Sequence, residues 1–457
     1  MSESIGNSGK GMKLHTKILL GLLVGAVLGI SANVFIGGKS PLVEGVNHYV
    51  AGPAGQIFLR LLFMIVIPLV FASISLGVAG LGDLKRVGRV GAKAIGYFLA
   101  STALAATLGL IIVSIVRPGE RIPESTRVEL MQTYSTDASS KVEAAATSDF
   151  GIQTLVNIVP RNPVKAAADL DMLGIIFFGM IFGAALTMIS PEKAKPMLAV
   201  LEGLNDAVIK IVEMAMRLAP YGVAALIFGV TSRFGFDVVR LLGWYVMVVL
   251  GSLLLHVFIN ISAIIRFLIG MSPWKFFGRI RAALITAFST SSSSATLPTA
   301  LATAEENLGI PTQIAGFVLP LGSTMCMNGT ALFEGITVIT LAQAFGVHLG
   351  LGQMVAVMVM SVITAVGAAG VPGGSIPLLV GVLTMFGVPA EGIAIVLGVD
   401  RILDMSRTTV NVCGDLSATA WVAKAEGVWN PSMIPTQESL MGSGKLDESP
   451  NWPQPQI

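Results

Sequence analysis

The sequence predicts an all-α integral membrane protein, and three features carry that expectation. Hydrophobic residues make up 53% of the 457-residue chain and charged residues 12%, against about 25% charged in a soluble domain; the mean hydropathy is +0.78. Blocks such as KILLGLLVGAVLGISANVFI and WYVMVVLGSLLLHVFINISAII match the roughly 20 apolar residues that a spanning helix needs. Late in the chain, apolar runs are interrupted by Ser, Gly and Pro, and non-helical backbone is tolerated at membrane depth only where protein buries it or it lines a wet cavity.

The elements follow in order. Residues 1–13 form a polar tail bearing Lys10 and Lys13; the apolar block after it is long and lacks a small-residue cleavage site, so it reads as a retained span and not as a signal peptide. Spans one to six fall at 14–36, 50–80, 89–116, 171–189, 198–232 and 237–269. Residues 117–170 hold a long loop rich in Ser and Thr, and residues 427–457 a Pro-containing tail expected to be disordered. Basic residues crowd every second connection: Lys10, Lys13 and Lys17, then Lys85, Arg86, Arg89 and Lys93, then Lys193 and Lys195, then Arg266, Lys275, Arg279 and Arg281. Such residues mark the cytoplasmic side, which puts both termini inside, the long loop outside and the protein in the plasma (inner) membrane.

Beyond the sixth span, residues 273–305 are broken by FSTSSSSATLP and residues 350–388 by GAAGVPGGSIP. Each is long enough for two half-helices. One follows a cytoplasmic connection and the other an external one, which suggests re-entrant hairpins entering from opposite sides, an inverted repeat around a midplane site. Two ordinary spans packed through serines are the competing reading.

The segment DRILDMSRTTVNVCGD, residues 400–415, raises the sharpest question, because it places charges in a helix that should be apolar. At 100° per residue, Asp400, Arg401, Asp404, Arg407, Thr408, Asn411 and Asp415 project within roughly 120° of arc. One central charge costs about 2.5–3.5 kcal/mol on insertion scales, so the stripe must face protein or water. A purely structural ion-pair lock is the competing reading, but Thr408 and Asn411 add uncharged ligands that locking does not require. Arg407 offers a planar fork for a carboxylate, and Asp404, one turn earlier, suits an ammonium. Together they describe an acidic amino acid, whose α-carboxylate would meet half-helix N-termini and the hydroxyls of Ser292 and Ser293. Asp415 and Asn411, with carbonyls of GSTMCMNGT, are candidate oxygen ligands for a small cation.

With these residues in view, the chain resembles the dicarboxylate/amino acid:cation symporter family. The resemblance runs from the second span to Asp415 and rests on four motifs in order, SSSSATLP, MNGTA, AGVPGGS and DMSRTTVNVCGD. It implies a homotrimer of eight transmembrane helices plus two re-entrant hairpins. Residues 14–232 would supply mainly the trimerisation scaffold, with span three assigned to the transport domain, and residues 233–426 that elevator-like domain. It further implies substrate contacts at Asp404, Arg407, Thr408, Asn411, Ser292, Ser293 and Thr330, and a gate tip from Val371 through Gly373 to Ser375. Coupling would be to sodium, protons or both, with Gly322, Thr324, Cys326, Asn328, Asn411, Asp415, Ser101 and Thr102 as candidate cation ligands.

Departures from the family pattern matter as much. Its NMDGT signature reads CMNGT here, with Cys326 for Asn and Asn328 for Asp, and Phe98 stands where Tyr is usual. The loss of a fixed negative charge erodes one cation site, and proton coupling through a partly desolvated Asp415 or Asp404 is a rival to sodium. The arginine many members carry at Ser291 or Met405 is absent; Arg401 either replaces it electrostatically or pairs with Asp400. A formal charge of +2 gives no reason to expect nucleic acid as a partner. A serine hydrolase needs a base near its nucleophile, and His15, His48, His256 and His348 all lie outside the polar stripe. A C4-dicarboxylate or neutral amino acid symporter and an anion channel are the remaining alternatives. No enzymatic activity and no bound cofactor are expected.

Overall fold

The computed structural model describes residues 14–128, 159–168, 172–368, 370 and 372–433, and every regular element among them is a helix. A chain in hydrocarbon must satisfy its backbone internally, and the helix does so segment by segment. The helices are α1 (Leu14–Phe35), α2 (Pro41–Val46), α3 (Gly52–Phe63), α4 (Val66–Val87), α5 (Arg89–Val116), α6 (Pro163–Ala168), α7 (Met172–Met188) and α8 (Pro191–Phe234). They continue with α9 (Phe236–Leu255), α10 (Pro273–Thr290), α11 (Ser293–Ala302), α12 (Thr312–Met325), α13 (Asn328–Ala344), α14 (Leu351–Val366), α15 (Ile376–Met385) and α16 (Ile393–Ala425). Among the described residues, six stretches are long and apolar enough to cross a membrane, Thr16–Phe35, Pro41–Ala79, Arg89–Arg121, Pro191–Phe234, Phe236–Ile269 and Thr312–Ala344. The interior of the loop expected at 117–170 and most of the tail expected at 427–457 lie outside the described residues, as does the expected tail at 1–13.

Several boundaries differ from the sequence reading for local reasons. The second span starts at Pro41, nine residues early in the chain, because Ser40 caps α2 by accepting Val43 N–H, and a π-turn at Asn47–Ala51 hands the chain on to α3. The fifth starts at Pro191 instead of 198, since proline's missing N–H costs nothing at a first helical position. The sixth span, expected at 237–269, agrees at Phe236–Ile269, reaching its end past α9 through two π-helical turns, His256–Ile261 and Ile264–Ile269.

Two packing regimes result. Gly21, Gly25 and Gly29 recur every fourth residue on α1, and a Cβ at any of them would strike Pro220, Ala224 or Thr231 of α8. Small residues at this spacing let two backbones touch, which is how helices associate where lipid removes the hydrophobic drive. The other regime surrounds α16, which packs against α5, α8, α9, α10, α12 and α13. Its charged residues Asp400, Arg401, Asp404, Arg407 and Asp415 are all buried, so the polar stripe turns inward as its insertion cost requires.

The interrupted segments form paired short helices. α10 ends at Ser291, whose φ of 53° is left-handed, and α11 begins after Ser292. α14 and α15 are joined by the Gly-Pro segment and pack on each other. At 1.5 Å per residue the ten-residue α11 and α15 reach about 15 Å, half a bilayer core. Between α12 and α13 the helix breaks at Cys326 (φ −88°, ψ 78°) and Met327 (φ −109°, ψ 48°).

Candidate functional site

The three breaks and the polar stripe converge on one small cavity. Ser293 from the α10/α11 tip, Thr330 from the start of α13, Ser375 from the second tip, and Asp404, Arg407, Thr408 and Asn411 from α16 all line it. Ser291, Met327, Ala368 and Gly370 complete the wall. Its volume is about 20 Å³, space for about one water molecule, far below the several hundred Å³ of a typical small-molecule site. The site is therefore closed upon itself.

Arg407 is the centre of its electrostatics. Its side chain is 2% exposed; Nη1 donates to Asp400 Oδ1 at 2.7 Å, and Nη2 lies 2.9 Å from Asp404 Oδ1. The second contact is an ion pair without hydrogen-bond alignment, so Nη2 has no hydrogen-bond partner. Phe333 supports the guanidinium from one face, its ring centre 4.1 Å from Cζ. Ser291 Oγ and Ser375 Oγ are likewise buried with no partner. Buried polar groups are rarely left unpaired, and three on one cavity wall mark a place where another molecule's polar atoms belong.

Asp404 faces the other way as well. Its Oδ2 accepts Gly373 N–H at 3.1 Å and lies 3.7 Å from Arg401 Nη1. The stripe residues thus pair with one another in this closed arrangement: Asp404, read as an ammonium ligand, holds Arg407, Arg401 and the second tip together. Arg401 takes Asp404 as its partner, and Asp400, read as one option for Arg401, goes to Arg407. Gly373, with φ of 74°, supplies that N–H from a backbone shape that favours glycine.

The first tip distributes its serines differently from the sequence expectation. Ser292 Oγ accepts Ala295 N–H at 3.1 Å as the cap of α11 and donates to Gly370 O at 2.6 Å, while Ser294 N–H also donates to Gly370 O at 3.2 Å. Ser292 is spent on joining the two tips, and Ser291 takes the cavity-facing place because its left-handed φ turns it inward. A Cβ on Gly370 would come 2.7 Å from Ser294 Oγ and 3.0 Å from Ser323 O, so glycine suits the close approach of the tips. Val371, expected in the gate tip, lies outside the described residues.

The candidate cation ligands fall into two groups. Asn328, fully buried, donates Nδ2–H to Ser101 Oγ at 2.7 Å, while its Oδ1 accepts Thr102 Oγ1 at 2.9 Å and Cys326 Sγ at 3.7 Å. Gly322 adjoins Asp415, whose Oδ1 would sit 2.7 Å from a Cβ there and has no hydrogen-bond partner. Asn411 connects cavity and break: its Oδ1 accepts Gly329 N–H at 2.8 Å and its Nδ2 donates to Thr330 Oγ1 at 3.0 Å. The Thr324 side chain is exposed and bonds its own helix at Leu321 O. For a small cation, the spare Asp415 Oδ1 fits, whereas the Asn328 group has its oxygens already engaged.

Sequence reasoning missed Glu334. It is fully buried on α13, with Oε2 accepting Thr364 Oγ1 at 2.6 Å and Oε1 without a partner. The available signal was a lone carboxylate in the apolar run ALFEGITVIT, since a charge within a span is a functional mark by default.

A closed polar pocket walled by broken helices, within a bundle that is otherwise apolar, defines a membrane carrier for a small polar solute. The family model described as the sodium:dicarboxylate symporter family matches residues 14–425, and the chain belongs to that family. It is 35% identical to the proton/sodium-glutamate symport protein of Bacillus subtilis across 95% of this chain and 97% of that one. With the proton/glutamate-aspartate symporter of Escherichia coli it shares 36% identity across 90% and 93% of the two chains. A C4-dicarboxylate transport protein of B. subtilis is 34% identical across 86% and 91%.

Proposed function

We propose that the chain is a secondary active symporter that imports glutamate or aspartate in company with protons, sodium or both. The observation that carries this reading is the set of buried groups without a hydrogen-bond partner around one cavity, Arg407 Nη2, Ser291 Oγ and Ser375 Oγ. The substrate side-chain carboxylate takes the Arg407 Nη2 N–H that makes no hydrogen bond, while its ammonium goes to Asp404 in competition with Gly373 N–H. The α-carboxylate is received at the tips by Ser291, Ser293 and Ser375, with Thr330, Thr408 and Asn411 completing the polar wall. An ammonium at Asp404 competes with the Gly373 N–H for the same carboxylate, so substrate entry and release of the second tip are coupled.

The retained negative charge of Asp404 favours an amino acid over a plain dicarboxylate, which would place carboxylate against carboxylate. For the coupling ion, Glu334 is the proton carrier we assign, because a carboxyl group this deep with a hydroxyl as its one donor is tolerable only when neutral or counter-charged. Asp415 Oδ1 is the atom we assign to a sodium ion.

Eight spans and two re-entrant hairpins arranged as a homotrimer, residues 14–232 as scaffold apart from span three, and residues 233–426 moving as an elevator in the inner membrane with cytoplasmic termini, fit this reading. The glycine-tight α1/α8 pair supports the division, being suited to a rigid partner. The deciding measurement is uptake of radiolabelled glutamate and aspartate into proteoliposomes under an imposed proton gradient without sodium, and then the reverse. Accumulation above equilibrium under at least one gradient is expected; equilibration alone under both would sink the symporter reading.

A further inference from the structure

The cluster where α5 meets the α12/α13 break contains four polar side chains, and its hydrogen bonding is closed. Asn328 uses Nδ2–H on Ser101 Oγ at 2.7 Å and Oδ1 on the Thr102 hydroxyl at 2.9 Å and the Cys326 thiol at 3.7 Å. With its oxygen toward Thr102 and Cys326 and its nitrogen toward Ser101, the amide has both its polar atoms engaged. Asn328, Cys326 and Thr102 are fully buried and Ser101 nearly so. Space is closed too, because a Cβ at Gly414 of α16 would come 2.7 Å from Asn328 Nδ2 and 3.0 Å from Cys326 Sγ.

A cation placed here would find no carboxylate among these four residues; the nearest one, Asp415, adjoins the Cys326 thiol and lies outside the cluster. The cation would also have to break two hydrogen bonds to free the Asn328 oxygen and would face its amide N–H₂ group. Losing buried hydrogen bonds costs roughly 1–3 kcal/mol for each group left unpaired. The resemblance raised this cluster as a cation site, and its residues do not fit one.

We propose that Asn328 is an amide clamp that does internally what a bound cation would do between span three and the α12/α13 break, so that Ser101, Thr102, Cys326 and Asn328 bind no coupling ion. Residue 328 is then a determinant of coupling-ion number: an amide there gives a permanently closed joint, and a carboxylate opens a charge that must be countered. The consequence for coupling rests on the symporter reading above. The clamp does not.

The experiment is thermal unfolding of the purified, substrate-free full chain across a sodium titration, with choline as the balancing cation. Ser101→Ala and Thr102→Val are expected to lower Tm without moving the sodium concentration that gives the half-maximal Tm rise. Asn328→Asp is expected to add a sodium-dependent rise beyond that of the parent chain, as mass action requires of a new site. A shift of about tenfold or more in half-maximal sodium in either hydroxyl variant overturns the proposal, as does an unchanged Tm in both. Because no substrate is present, a chain that fails to accumulate glutamate refutes the transport reading and leaves this one standing.

Discussion

The two tips differ in what holds them. The first is built from its own side chains: Ser292 caps α11, Thr296 Oγ1 donates to Ser292 O at 2.7 Å, and Thr290 bonds Thr286 O at 2.9 Å. The second has no side-chain cap at Ser375 and depends on its neighbours, through Gly373 N–H on Asp404 and Gly370 O under Ser292 and Ser294. Hydroxyls on a tip give it an internal skeleton, whereas glycine and proline leave backbone groups free for whatever lies opposite. The second tip is therefore the one whose position responds to what occupies Asp404.

The largest expected effect tests what that opposing surface recognises. Arg407→Cys should weaken binding of glutamate and aspartate by about 100-fold, since the charge and its hydrogen bond to the substrate carboxylate are lost, while neutral amino acids gain relative affinity. Unchanged glutamate affinity in equilibrium binding would place the carboxylate elsewhere. A pair of serines sharpens the comparison at intermediate scale. Ser292→Ala should destabilise the folded chain by about 1 kcal/mol, the usual loss for a helix cap, read as a lower unfolding temperature. Ser375→Ala, which removes an unpaired hydroxyl, should leave that temperature in place and weaken substrate binding; if both serines behave alike, the contrast between tips fails.

The smallest effect lies at the far end of α16, where neither tip is involved. Burial pushes Glu426 up, but hydrogen bonds from Arg89 and Lys93 prevail and hold its carboxyl below the usual carboxylate range. A group depressed on folding stabilises fully above its unfolded value, about 4.3, and that contribution fades as pH falls through the folded value. Glu426→Gln should lower the unfolding temperature slightly at neutral pH, where that contribution is full, flatten the acid limb, and leave both tips in place. A change at neutral pH in the position of either tip, followed by cysteine accessibility, would contradict this.

Much of this arrangement was legible beforehand because its causes are local. Apolar run length sets helices, the Ser- and Gly-rich interruptions set the breaks, and the 100° step of a helix groups Asp404, Arg407, Thr408 and Asn411 on one side. Partnership was not legible. Spacing alone allowed Arg401 to pair with Asp400, yet Asp400 meets Arg407 seven residues on, nearly two turns away along the same stripe. Ser292 looked like a ligand and is a cap and tie, while Ser291 gains the cavity through its left-handed φ. Glu334 was marked by its lone charge in an apolar run, but its partner Thr364, thirty residues away, was not legible.

What the sequence determined by itself is that ionic residues confined to one edge of a helix in an apolar chain must turn inward, since the cost of exposing them to lipid is a property of the residues. What only the tertiary structure decided is which of them remain unpaired. That depends on where separate helices bring their breaks together, and hydrogen bonds form or fail over tenths of an ångström that no spacing along the chain records.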